Sequence, residues 1–147
     1  MRRFRYRLER VLQYRRFLEK KAMLQLAHLK QNYRAIENRM GQLEMKRMQV
    51  ARQCQREGIR GVDVASYETY QSYLQKLKLD WTAAAAELEE KEAAIHNQES
   101  VLESETIKRK ALETHKESRL RMHRELAEKE EQKFLDELII RRQEVTV

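Results

Sequence analysis

Two long stripes of apolar side chains, spaced alternately four and three residues apart, are interrupted once, by a pair of glycines. The first stripe runs Ala22, Leu26, Leu29, Tyr33, Ile36, Met40, Leu43, Arg47, Val50, Cys54, and only Arg47 breaks it. The second runs Tyr67, Tyr70, Leu74, Leu77, Trp81, Ala84, Leu88, Lys91, Ile95, Gln98, Leu102, with Lys91 and Gln98 as its polar members. This spacing keeps one narrow face on a partner helix, which is the signature of a coiled coil. Upstream, Phe4, Leu8, Val11, Leu12 and Leu18 continue the stripe with a phase slip near Arg15 and Glu19; after Leu102 the pattern frays. The chain has no proline and 3 glycines in 147 residues, too little punctuation for sandwiches, barrels or βαβ units. Charged residues are abundant at 37%, yet the periodicity argues against disorder over most of the length.

The break at Glu57-Gly58-Ile59-Arg60-Gly61-Val62-Asp63 supplies a helix stop, a left-handed turn residue and, in Asp63, an N-cap for a second helix. Val62 and Tyr67 occupy the two places of a hydrophobic staple. The reading is an all-α fold, a long two-helix antiparallel coiled-coil hairpin with a longer C-terminal helix. It forms a single coiled-coil domain over 1–147, with helix 1 at about 3–57, the turn at about 58–63, helix 2 at about 64–140 and a disordered tail over 141–147. Levels across the hairpin pair residues whose numbers add to about 120. A sum of 117 sets Glu19 beside Gln98 and a sum of 124 sets Leu43 beside Trp81; both fit. Residues beyond about 118 are expected to have no partner within the chain.

Charge is distributed unevenly. Residues 1–61 hold 17 Lys/Arg against 5 Asp/Glu, whereas residues 62–147 hold 14 against 19, so a basic helix lies against a largely acidic one. Helix 2 reverses sign within itself: 87–105 carries seven Glu and one Lys, and 108–124 carries seven Lys/Arg and two Glu. That second stretch falls level with Arg2, Arg3, Arg5, Arg7 and Arg10, which makes the end bearing the N-terminus basic on both helices. Such an end either stays solvated or enters an acidic partner surface. Off-seam apolar residues form two further groups, Met45, Met48 and Tyr73 near the turn, and Phe17 with Leu24. Grouped on a helical surface, they suggest partner contacts.

Catalytic chemistry finds no foothold. The histidines at 28, 96, 115 and 123 lack the spacing of a helical zinc site and read as solvated polar residues. No glycine-rich phosphate loop and no nucleophile elbow is present, and carboxylates on a convex helical surface have no pocket to tune them. Cys54 sits on the seam, in a packing role, and being alone it excludes an intrachain disulfide. Neither an apolar run long enough for a membrane span nor a signal-peptide core after Met1 is evident, since residues 2–16 hold seven arginines. An intracellular protein without enzyme activity, cofactor or metal is expected.

The segment Phe4-Arg5-Tyr6-Arg7-Leu8-Glu9-Arg10-Val11-Leu12, followed by Arg15-Arg16 and Glu19, resembles the opening of the FliJ family of flagellar export proteins. Tyr70-Gln71-Ser72-Tyr73-Leu74-Gln75-Lys76-Leu77 is similar to that family's aromatic-rich segment after the turn, and length and the two-helix plan agree. The resemblance implies a cytoplasmic, non-enzymatic stalk or adaptor of the flagellar type III export apparatus, peripheral at the inner membrane face of the flagellar base. It implies a fold like the coiled-coil stalk of rotary ATPase gamma subunits, and three partners: the FliI ATPase ring, whose assembly it would promote, the export gate FlhA, and export chaperones. The gate-contacting aromatic and the leucine four residues on correspond to Tyr73 and Leu77, with Met48 at about the same level. For the ATPase-facing end, charge geography selects Arg2, Arg3, Arg5, Arg7 and Arg10. The injectisome stalk, a scaffold coiled coil and a nucleic-acid binder are the alternatives, and attachment of residues 2–16 to anionic lipid is compatible with the first reading. A basic-zipper type is disfavoured, because a turn and an acidic helix come after the basic region.

Overall fold

The computed structural model describes residues 2–146. Two helices, α1 (Glu9–Arg60) and α2 (Val64–Val145), account for 52 and 82 residues, and no strand occurs among the described residues. The all-α hairpin with the longer second helix is thus the architecture.

The reversal between the helices is tight. Gly61 has φ 91°, the left-handed region where a side chain is strained, and its N–H lies 3.4 Å from the Gly58 carbonyl. Gly58 itself stays helical, so α1 runs three residues past the expected stop and the turn shrinks to residues 61–63. The Asp63 carbonyl accepts the Tyr67 N–H at 3.0 Å, which is the N-cap position of α2. Val62 is half-buried but Tyr67 is 52% exposed, so the expected staple is open.

Both outer helix ends differ from expectation. α1 starts at Glu9 rather than near residue 3, and residues 2–6 carry no regular secondary structure. Four arginines at positions 2, 3, 5 and 7 would place positive charge on the positive end of the helix dipole, whereas Glu9 in the first turn favours starting there. α2 continues through residues 141–145, where a disordered tail was expected; residue 147 lies outside the described residues.

Contacts divide the chain into two units, Ala22–Val101 on one hand and the residues up to Lys21 together with those from Leu102 on the other. Within Ala22–Val101 the seam is apolar: Ala22, Leu26 and Ile36 of α1 and Leu77 and Ala84 of α2 are less than a tenth exposed. Gln98 donates to the Ala22 carbonyl and to Gln25 Oε1, both at 3.2 Å, Arg39 meets Glu87 at 2.6 Å, and Tyr70 donates to Glu57 at 2.6 Å. The partners reverse in order along the two helices, which makes them antiparallel. Their numbers add to 120, 123, 126 and 127, and Leu43 shares a hollow with Leu77 and Trp81. This is the register near 124; Gln98 bonds Ala22 and Gln25 rather than standing beside Glu19.

Within the other unit the seam is mixed. Leu12 is its fully buried side chain. Around it stands a ladder of ion pairs: Glu19 with Arg109, Glu113 with both Arg109 and Arg16, Glu9 with Lys116 at 2.8 Å, and Glu105 with Arg15 and Lys108. Half-buried positions on α2 continue at 102, 105, 109, 112, 116, 120, 123 and 127. The seam therefore keeps its spacing where the hydrophobic pattern frays, because Glu105, Arg109, Lys116 and His123 occupy seam places.

Candidate functional site

The segment ahead of α1 lies along α2 as a strap. Tyr6 Oη lies 2.6 Å from His115 Nδ1 and 3.3 Å from the Leu112 carbonyl, and the Phe4 ring stands edge-on to His123 with centroids 5.5 Å apart. Two of the four histidines are thus structural contacts rather than free solvated groups; His28 and His96 are exposed as expected. Non-helical backbone covers about 3.3 Å per residue against 1.5 Å in a helix. That difference carries the strap to His123, beyond the level near 118 where intrachain partners were expected to end.

All five arginines selected from the sequence, Arg2, Arg3, Arg5, Arg7 and Arg10, are exposed. None forms an ion pair among the described residues, whereas Arg15, Arg16, Arg109 and Lys116 in the same unit are all engaged by carboxylates. The Glu19 carboxylate hydrogen-bonds Arg109, with Glu113 adding to the effect, and raises the Arg109 pKa above its already high ordinary value. Charge in the ladder is internally matched. The strap presents unmatched positive charge interleaved with Phe4, Tyr6 and Leu8, which line a hollow with Arg119, Met122 and Leu126. Sequence reasoning missed the ladder, although Glu9, Glu19, Glu105 and Glu113 at seam-compatible spacing were the available signal.

Near the turn, Met48 is 51% and Tyr73 is 42% exposed, and both belong to Ala22–Val101. Leu77, by contrast, is 5% exposed. It packs on the apolar seam with Leu43 and Trp81 beside it. Met48 lines a shallow hollow with Ala51, Gln71, Leu74 and Lys78. Tyr70, three residues before Tyr73, is held as a phenol by its hydrogen bond to Glu57, which raises its pKa. Partial burial and the nearby Glu37 and Glu92 raise that of Tyr33. Cys54 is half-buried on the seam.

Among the described residues no helix is long and apolar enough to cross a membrane, and no three His, Cys, Asp or Glu side chains converge on a point. A search of curated proteins and a search of solved structures each return no match. The family model described as "Flagellar FliJ protein" matches residues 4–144, nearly the whole chain, from Phe4 in the strap through the turn. This protein belongs to the FliJ family, whose members serve flagellar type III protein export.

Proposed function

We propose that the chain is a non-enzymatic stalk or adaptor of the flagellar export apparatus that joins two partners through separate surfaces. The strap and the first turn of α1, with Arg2, Arg3, Arg5, Arg7 and Arg10, bind the FliI ATPase ring and promote its assembly. Tyr73 and Met48, both exposed near the turn, meet the export gate FlhA. Export chaperones are further partners, and the working location is cytoplasmic, at the inner membrane face of the flagellar base. The observation that carries the reading is the exposure of all five arginines, which form no ion pair among the described residues, beside a ladder in which carboxylates engage Arg15, Arg16, Arg109 and Lys116. Unmatched charge on a surface steers an oppositely charged partner and selects its orientation.

The test mixes the full chain with the purified export ATPase and records ring formation and ATP hydrolysis. Reversing these five arginines to Glu is expected to abolish both effects while far-UV circular dichroism stays helical. Tyr73→Ala with Met48→Ala is expected to spare both and to weaken binding to the soluble part of the gate. An unaltered chain that changes neither assembly nor hydrolysis at micromolar concentration overturns the proposal, as does tight salt-sensitive binding of DNA in place of the ATPase.

A further inference from the structure

Among the described residues the half-buried positions on α2 end at Ala127, and every residue from 128 to 146 is exposed. Yet this stretch is not a polar, solvated end. Phe134, Leu135, Leu138 and Ile139 are 61%, 56%, 46% and 55% exposed, and spacings of three and four residues put them on one side of the helix. One turn before them on the same side stands Glu131, and one turn after them Arg142. The face thus reads acid, apolar, apolar, base. Among the described residues neither Glu131 nor Arg142 is in an ion pair; Arg2 reaches the rim near Glu130, Glu131 and Phe134 without forming one.

A face with that order is complementary to its own reverse. We infer that residues 131–142 of α2 dock antiparallel against the same residues of a second copy of this chain, Glu131 facing the second copy's Arg142, Phe134 its Ile139 and Leu135 its Leu138. Each of those pairs of numbers adds to 273, so a single register satisfies the charges and the apolar side chains together, and the two-fold axis makes every contact twice. The parallel arrangement fails on the same residues. It sets Glu128, Glu130 and Glu131 level with their own copies and Arg141 and Arg142 level with theirs, and like charges at one level repel. Both helices exist before they meet, so association does not bear the cost of nucleating them. The apolar patch spans little more than one turn, which makes the contact a weak one, formed at high local concentration. This inference does not rest on the proposed ATPase contact, because the experiment reads the free chain.

Sedimentation equilibrium of the full chain over a wide concentration range is the test. The expected result is a reversible shift from monomer to dimer mass. Arg142→Glu alone, or Glu131→Arg alone, should weaken dimerisation by about tenfold or more, since each change creates two like-charge contacts. The double exchange Glu131→Arg with Arg142→Glu should recover it. Both side chains are exposed, so helicity by circular dichroism should not move in any variant. A chain that stays monomeric throughout overturns the inference. A dimer indifferent to Arg142→Glu does so too, as it would lie elsewhere or run parallel. A loss that the double exchange fails to repair overturns the antiparallel pairing.

Discussion

The two units join the same two helices by different means. In Ala22–Val101 the seam buries Ala22, Leu26, Ile36, Leu77 and Ala84, with ion pairs such as Arg39–Glu87 on the outside. In the unit built from the residues up to Lys21 and those from Leu102, Leu12 alone among the described residues is fully buried, and the seam is completed by Glu19, Arg109, Glu113 and Lys116. Apolar burial is non-directional and is not weakened by charge screening, whereas charge pairs of this exposure are weak singly, select a register and are screened by salt. One helical pair can therefore be clamped where it turns and adjustable where it ends. The adjustable unit is also the one that carries Arg2, Arg3, Arg5, Arg7 and Arg10.

The largest expected effect tests the clamp. Leu77→Ala should destabilise the chain by about 2–3 kcal/mol, near the low end for core truncations because a two-helix seam admits water beside the gap. Urea unfolding followed by circular dichroism would read it, and a neutral result would show that burial at this seam contributes little. Gly61→Ala comes next. Nothing lies within 4 Å of an added Cβ, so its cost is conformational alone, about 1 kcal/mol in the same measurement.

Salt separates the two units in a different way. Raising ionic strength to about 1 M, where screening acts within about 3 Å, should lower amide-exchange protection in residues 9–21 and 102–120 and leave 26–50 and 70–95 unchanged. Equal loss in both would show that the ionic ladder is not what holds the first unit. The smallest effect is at alkaline pH. Tyr70 has its pKa raised in the folded chain by the bond to Glu57, so folding favours the protonated phenol. The contribution is whole below pH 10 and is lost as pH climbs through the higher folded value. Tyr70→Phe should remove that part of the pH dependence, read as the slope of unfolding midpoint against pH between 9 and 11.

The clamp was legible in the sequence and the ladder was not. Leu26, Ile36, Leu77 and Ala84 repeat with a helical period that hydrophobicity alone reveals, and the glycine pair marked the reversal. Glu19 and Arg109 look like errors in such a stripe, since their seam position is justified only by each other, ninety residues apart. The candidate arginines were found from charge counts, but the strap was not, because Arg-rich sequence reads as helix by propensity. What opposes it is the dipole at Glu9 and the seating of Phe4 and Tyr6 on His123 and His115, contacts that no local pattern encodes. Tyr73 and Met48 were placed at an exposed surface by being off the stripe, and the same logic explains why Leu77, on it, is enclosed.

The non-helical start of the chain also changes what an insertion does. One residue added inside α1 rotates everything beyond it by about 100° and turns its seam away from α2. One residue added among positions 2–6 leaves α1 untouched and slides the tip along α2 by about two of that helix's positions. Length can therefore drift at the front of the chain, resetting how far along its neighbour the first arginines are delivered, with no penalty to the pairing behind them.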